Sequence, residues 1–464
     1  MNKNLQAITA AGLLSFIGIL VQTSLNVTFP TLIQQFHESL NTVQWLTTGY
    51  LLMVTITMGS SAYLLKRFSA RNIFILAISA FVLGTLLCIF TDNFIILMIG
   101  RLFQAIATGL STPLLFQLIF TTLAAEYLGT YTGLASMIIS LAPALGPTYG
   151  GLLNTYLNWR FIFWIALPLG FISLLLGIKT IKLPHVKEHV SFDFFGFVLL
   201  ISIFTGFIWS FNQAGKHGWQ SPSFIGFLLI SLALTVLYVV YNQHSKRRLL
   251  DYSILKQAQV RLGAFNFFVL QFANVGSCLV IPLFAENVLK GNALVAGFLL
   301  FPGSVLGAFM SPVAGRLYDR QGAFKPLVLG NGLLLISTIL LALLSDKLTL
   351  LSLTLLYCLL RLGFTFSFGN VLSEGTTYVA AEQKADLNSL YNMLQQYAGS
   401  IGTQIMAAFI SASELSAGQD IRLATLKGSQ IDFWLLTLLA LLALITVYYE
   451  HYLTQKKIAK VNSL

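Results

Sequence analysis

The sequence predicts an all-α membrane protein: fourteen transmembrane helices, arranged as two six-helix halves with two inserted central helices. Composition is the first reason. Of 464 residues, 56% are hydrophobic and only 9% charged, whereas soluble domains carry about 25% charged residues. That supply cannot clothe a water-facing surface. The second is length. Apolar runs of 18 or more residues recur throughout, each able to cross a hydrocarbon core of about 30 Å. They lack the alternation of an outer-membrane barrel, and backbone groups in lipid must bond within their own segment, so the runs are helices. The third is charge placement, which fixes the count.

The chain enters its first apolar run almost at once, and that run continues past any small-residue cleavage site to Asn26 and Pro30. It reads as a retained span rather than a removed signal peptide. Six spans are expected at 6–29, 43–65, 72–90, 94–119, 130–153 and 161–179. Two follow at 194–211 and 223–241, on either side of the loop Asn212–Pro222. The last six are expected at 261–285, 293–315, 325–345, 348–370, 388–412 and 431–453. With fourteen spans both termini share a side. Nineteen of the 27 Lys and Arg residues then fall in that side's loops and six in the opposite ones, with Arg101 and Arg361 inside spans. Inner loops are the basic ones, so both termini are expected in the cytoplasm and the localisation is a multi-pass cell membrane. One helix more or fewer would scramble the bias. The net charge of +11 is therefore topology and excludes nucleic acid as a partner.

Landmarks repeat at a nearly constant offset. Pro30 in the first span matches Pro282 in the ninth, 252 residues on. The basic turn at Arg67 matches Arg320 after 253, Gly146 matches Gly402 after 256, and Arg101 matches Arg361 after 260. Parallel repeats of this kind rock about a site near the midplane. The expected domains are residues 1–190, 191–245 for the two extra helices, and 246–464.

The fifth span carries APALGPTYGG at residues 142–151. Pro143 and Pro147 withdraw donors and bend the helix, while Gly146, Gly150 and Gly151 permit close approach of a neighbour. WRFIFWIALPLG follows at residues 159–170. The fourth span holds Arg101, Gln104, Gly109 and Pro113, and the loop at 315–322 reads GRLYDRQG, with Asp319 and Arg320. Together these motifs resemble the major facilitator superfamily, and within it the fourteen-helix drug:proton antiporters of the EmrB/QacA type, over nearly the whole chain. The resemblance implies an antiporter motif in the fifth span and an inner gate at Asp319. It also implies an arginine, Arg101, that influences protonation of embedded carboxylates. Snorkelling to the outer interface, about 10 Å away at 1.5 Å per residue, is the other reading of Arg101.

Two departures from the family pattern matter. The first-half gate sequence AYLLKRFSAR at 62–71 has Lys66 where an aspartate is expected and Ser69 where a glycine is, so something else must hold that gate. In the first span Val21 occupies the usual acidic position, although Thr23, Asn26 and Pro30 remain. No carboxylate is expected deep in any span. Asp193 and Asp432 are read as helix caps. Glu286, at the outer end of the ninth span, is the favoured proton acceptor, with an interfacial residue without coupling function as the alternative; Glu374, just past the twelfth, is the next candidate.

Amides mark the candidate substrate site. Gln22 and Asn26 lie one turn apart, Gln271 and Asn274 are similarly spaced on the ninth span, and Asn392, Gln395 and Gln396 sit on the thirteenth; Gln104 is a neighbour of Arg101. Amides with aromatics suit amphipathic ligands. The expected function is secondary efflux of amphipathic drugs, cationic or zwitterionic, in exchange for protons. A dedicated endogenous substrate such as a lipid, peptide or metabolite is the alternative. An enzyme is not expected: no nucleophile–base pair or metal cluster is evident, and no Walker A motif occurs. Small drugs, protons and the bilayer are the expected partners of a monomer without cofactor. Cys88, Cys278 and Cys358 are read as small buried hydrophobes.

Overall fold

The computed structural model describes residues 3–38, 40–181, 192–245, 251–291, 293–417 and 420–462. The basic loops at 182–191 and 246–250, and the side chains of Asn26 and Pro147, lie outside them. Every regular element among the described residues is helical. In chain order the helices are α1 (Lys3–Ser24), α2 (Phe29–Phe36), α3 (Leu40–Arg67), α4 (Ala70–Phe90), α5 (Phe94–Thr122), α6 (Leu128–Tyr156), α7 (Phe161–Thr180) and α8 (Phe194–His217). They continue with α9 (Pro222–His244), α10 (Ala258–Asn287), α11 (Ala293–Phe298), α12 (Leu300–Gln321), α13 (Phe324–Leu343), α14 (Leu350–Thr377), α15 (Lys384–Ala417) and α16 (Ile421–Asn462). Thirteen stretches among the described residues are long and apolar enough to cross a membrane, α11 and α12 counting as one from Val295 to Gln321. Large apolar side chains such as Phe90, Leu175, Val236, Phe309 and Leu355 are exposed, as lipid-facing surface requires.

Helix limits follow local chemistry. The span expected over 6–29 breaks, because Pro30 has no N–H and blocks the preceding turn. The chain passes from α1 through a 3-10 turn, Leu25–Thr28, into α2, where Pro30 occupies a tolerated first-turn position. The loop expected at 212–222 shrinks to four residues, since α8 runs on to His217 and the Ser221 hydroxyl caps Phe224 N–H at the start of α9. Asp193 does cap α8, accepting from Gly196 N–H at 2.9 Å. Asp432 does not cap anything: α16 already begins at Ile421, capped by Asp420.

The chain divides into two compact units, one of Met1–Phe192 with Ala381–Met393, the other of Asp193–Ala380 with Leu394–Leu464. In the first, α1 packs against α5, α6 and α7, and α5 against α3 and α4. Hydroxyls link these helices where side chains are small. Ser15 donates to Ser111 at 3.0 Å and Ser173 to the Ala10 carbonyl at 2.8 Å. The beginning of α15 also belongs here.

In the second unit α14 packs on α10, α12 and α13, and α16 on α10 and α13. A buried amide chain ties three of them: Asn266 donates to Asn331 at 3.2 Å, and Asn331 to Ser367 at 3.2 Å. Phe267 stacks on Phe368 beside it, centroids 4.6 Å apart. Helices α8 and α9 pair with each other and are little enclosed, at 28% and 17% buried over their spans.

Candidate functional site

The proline–glycine segment of α6 meets the broken end of α1. A Cβ on Gly146 would lie 1.9 Å from Thr23 Oγ1, and one on Gly150 would lie 2.2 Å from the Ser24 carbonyl oxygen. No side chain fits at either position, so the two backbones touch where α1 gives way to the 3-10 turn. Gly151 faces open space, and Pro143 is exposed. Gln22 is half-buried on α1, and Val21, in the acid's place, is buried. The pairing of Gln22 with Asn26 falls outside the described side chains.

Arg101 is completely buried in α5. Its Nη1 donates to Gln104 Oε1 at 2.9 Å, and Gln104 Nε2 donates onward to Thr85 Oγ1 at 2.9 Å. The guanidinium lies over the Tyr50 ring, 4.3 Å from its centroid, a favourable cation–π position. The Tyr50 hydroxyl is itself engaged with Thr108 at 2.7 Å. Arg101 Nε and Nη2 have no hydrogen-bond acceptor, and no carboxylate pairs with Arg101 among the described residues. Complete enclosure removes snorkelling as an account of this arginine. Gln104 has both ends of its amide occupied.

In the second unit Arg361 on α14 is 4% exposed. Its Nη1 donates to Asn274 Oδ1 on α10, and Asn274 Nδ2 reaches Gln271 Oε1 at 3.4 Å. Arg361 Nε is buried without an acceptor. One turn before Arg361 on α14 and one turn after Asn274 on α10, Tyr357 Oη and Cys278 Sγ are 3.5 Å apart. Cys278 is exposed and Cys358 partly so, leaving only Cys88 as the buried hydrophobe expected of all three. Asn274 and Gln271 adjoin, as their spacing on one helix implies, and Arg361, which nothing in the sequence placed beside them, joins them.

The carboxylates divide sharply. Glu286 is exposed and makes no hydrogen bond among the described residues. Glu374 is half-buried and clasped by two phenols, Tyr318 at 2.9 Å and Tyr378 at 2.6 Å. Glu450 on α16, 8% exposed, lies close enough for its charge to act on Glu374 and Tyr378. Burial and these two carboxyls hold the Tyr378 hydroxyl above the ordinary tyrosine value, so it remains a donor at any physiological pH. Asp319 is half-buried and Arg320 exposed at the end of α12. Asp432 overturns the expectation that no acid lies deep: it is 0% exposed, and neither carboxyl oxygen has a hydrogen-bond donor. Eleven residues of helix precede it, a signal that a start placed at 431 could not carry.

The beginning of α15 is fastened to the first unit. Lys66, the residue in the gate's acidic position, forms an ion pair with Asp386, whose side chain is 1% exposed. Asn388 donates to the Pro113 carbonyl at 2.7 Å, and Ser61 and Ser389 share a 2.5 Å hydrogen bond. Asn392 donates back to Asn388 in the same helix at 2.7 Å, and Gln396 is half-buried one turn on.

Long apolar helices with buried polar side chains spread over several of them define a polytopic helical membrane protein. Residues 11–403 match the family described as Major Facilitator Superfamily, and the chain belongs to that superfamily. It is 32% identical over 413 residues to the lincomycin resistance protein LmrB of Listeria innocua, covering 89% of this chain and 87% of that one. It is 24% identical over 454 residues to the riboflavin transporter RibZ of Clostridioides difficile, covering 96% and 97%. In fold it resembles the crystal structure of the human organic anion transporter TETRAN, with a TM-score of 0.66, 15% identity, and coverage of 95% of this chain and all of that one.

Proposed function

We propose that the protein exports amphipathic drugs, cationic or zwitterionic, across the plasma membrane in exchange for protons. The observation that carries this reading is the seam between α6 and α1. The proline-containing helix α6 lies close, at Gly146 and Gly150, against Thr23 and Ser24 where α1 breaks, in a chain 32% identical to a drug-resistance relative over most of its length. A helix break held against a proline-containing helix forms a place where a span can bend without losing packing. The fourteenth span is α15, whose amides Asn388, Asn392, Gln395 and Gln396 lower its mean hydropathy while supplying polar groups for a ligand. With fourteen spans the basic loops and both termini face the cytoplasm.

Within this scheme Glu374 carries the coupled proton in preference to Glu286, because it alone of the two is enclosed by donors. Lys66 with Asp386, and Asp319 with Arg320, serve as the inner gate. Everted membrane vesicles test the reading: a fluorescent amphipathic dye should accumulate when the lumen is acidified and leak back when the gradient is collapsed. Accumulation indifferent to the gradient removes proton exchange.

A second reading, transport of one dedicated metabolite, draws on the end-to-end likeness to the riboflavin transporter. Under it, riboflavin or a related ring system should be moved by the same vesicles, and structurally unrelated dyes should neither be moved nor compete.

A further inference from the structure

We propose that Arg361, with Asn274 and Gln271, is a subsite for an anionic oxygen of the transported molecule, so that carboxylate-bearing amphipaths are favoured over their neutral-ended or purely cationic counterparts. The inference rests on the transport reading above and names the substrate class at one part of its site.

A guanidinium in a protein interior seeks an anionic oxygen, because charge-assisted bonds are the strong ones. Arg361 is not given one by the protein. It forms no ion pair among the described residues, and the acceptor on its Nη1 is a neutral carboxamide, Asn274 Oδ1. Its Nε is buried without any acceptor. A charged group so nearly enclosed and so poorly matched is costly to keep. Asn274 is only half-buried, so its amide can rotate aside and hand the acceptor position to a ligand. The amides of Asn274 and Gln271 then supply further donors to the same oxygen. A carboxylate would accept from the planar fork of the guanidinium in a way a hydroxyl cannot.

The repeat-related arginine makes the comparison from within the chain. Arg101 is 0% exposed, bonded to Gln104 of its own helix and covered by Tyr50. Its charge is sealed in. Arg361 instead bonds across to α10, on the face where Cys278, one turn along from Asn274, is exposed. The same surroundings oppose a plain cation, since Arg361 is positive and no carboxylate stands beside it.

Cys278 provides a native reporter. Purified protein in lipid nanodiscs is alkylated with a maleimide and the rate is followed at Cys278 by peptide mass spectrometry, with benzoate or benzamide added. These two probes share a ring and differ in charge. Benzoate should slow alkylation several-fold and benzamide should not. Arg361→Gln should abolish the difference, and Arg361→Lys should keep part of it by retaining the charge. Equal effects of the two probes on the wild type, or full benzoate protection in Arg361→Gln, overturn the proposal. A second arm compares binding of rhodamine B, with its free carboxylate, and its ethyl ester. About tenfold tighter binding of the free acid is expected, and Arg361→Gln should close the gap by weakening the acid while the cationic ester binds no more weakly than to the wild type; equal affinities for the wild type overturn the proposal. Benzoate protection without binding of either dye upholds the subsite and removes the drug-export reading instead.

Discussion

Arg101 holds a full positive charge with two of its three nitrogens lacking an acceptor, in a place water does not reach. What it has is a cation–π contact with the Tyr50 ring and one bond to Gln104. Arg101→Ala should therefore abolish vesicle dye transport while membrane expression stays near wild type. Arg101→Lys should recover little, because a point ammonium reproduces neither the broad guanidinium face over Tyr50 nor the fork. Near-normal transport by the alanine variant would leave Arg101 a packing residue. The neighbouring glycines offer a sharper contrast. Gly150→Ala drives a methyl into the Ser24 carbonyl, whereas Gly151→Ala meets nothing within 4 Å. Overpacking of this kind costs about 1–3 kcal/mol, so Gly150→Ala should lower the melting temperature in detergent clearly and Gly151→Ala hardly at all. Similar melting temperatures for both would mean the α6–α1 seam yields freely.

At the scale of helices, α3 and α15 are joined by charges whose order reverses the expectation for the gate sequence. Lys66 occupies the acidic position and Asp386 supplies the acid. A pair with one partner fully enclosed is strongly destabilised when one charge is removed, by about 3–5 kcal/mol in buried cases. Lys66→Asp and Asp386→Lys should each impair transport and raise cysteine labelling at the cytoplasmic mouth, and the double swap should restore both. Failure of the swap to rescue would separate the pair from gating. Here the sequence was legible in one direction only. It showed that Lys66 could not do an aspartate's work, but Asp386 is 320 residues away, and nothing local announces the partner. Asp432 was missed for a related reason. Hydropathy locates the apolar middle of α16 well, yet the helix begins at Ile421 in more polar sequence, so a buried acid resembled a cap. The amide-rich α15 shows the converse: Asn388, Asn392, Gln395 and Gln396 lower its hydropathy, and it is absent from the thirteen stretches apolar enough to cross a membrane among the described residues.

Across the whole molecule, the superfamily and the helical class were readable because lipid forces long apolar helices on any chain that crosses it. The carboxylate proposed to carry a coupled proton was not, because such a role depends on which acids are enclosed together. In the sequence both Glu286 and Glu374 lie near a span's end, and its place after Pro282 favours Glu286. In the structure one stands exposed without a donor, and the other sits among Tyr318, Tyr378 and Glu450, contributed by α12, the residue after α14, and α16. Two carboxyls and two hydroxyls within reach of one another can pass a proton between them, and small helix movements can change how tightly each is held. A single exposed carboxylate exchanges with solvent in every state and so links nothing. Substrate-induced proton release from purified protein separates the cases. Glu374→Gln should bind dye with little change in affinity while proton release falls to background, and Glu286→Gln should release protons like the wild type. Tyr378→Phe should weaken the release without removing it, since Tyr318 still donates to Glu374. If Glu374→Gln instead releases protons normally and Glu286→Gln does not, the coupled proton is taken at the end of α10, and the two tyrosines only brace α12 and α14.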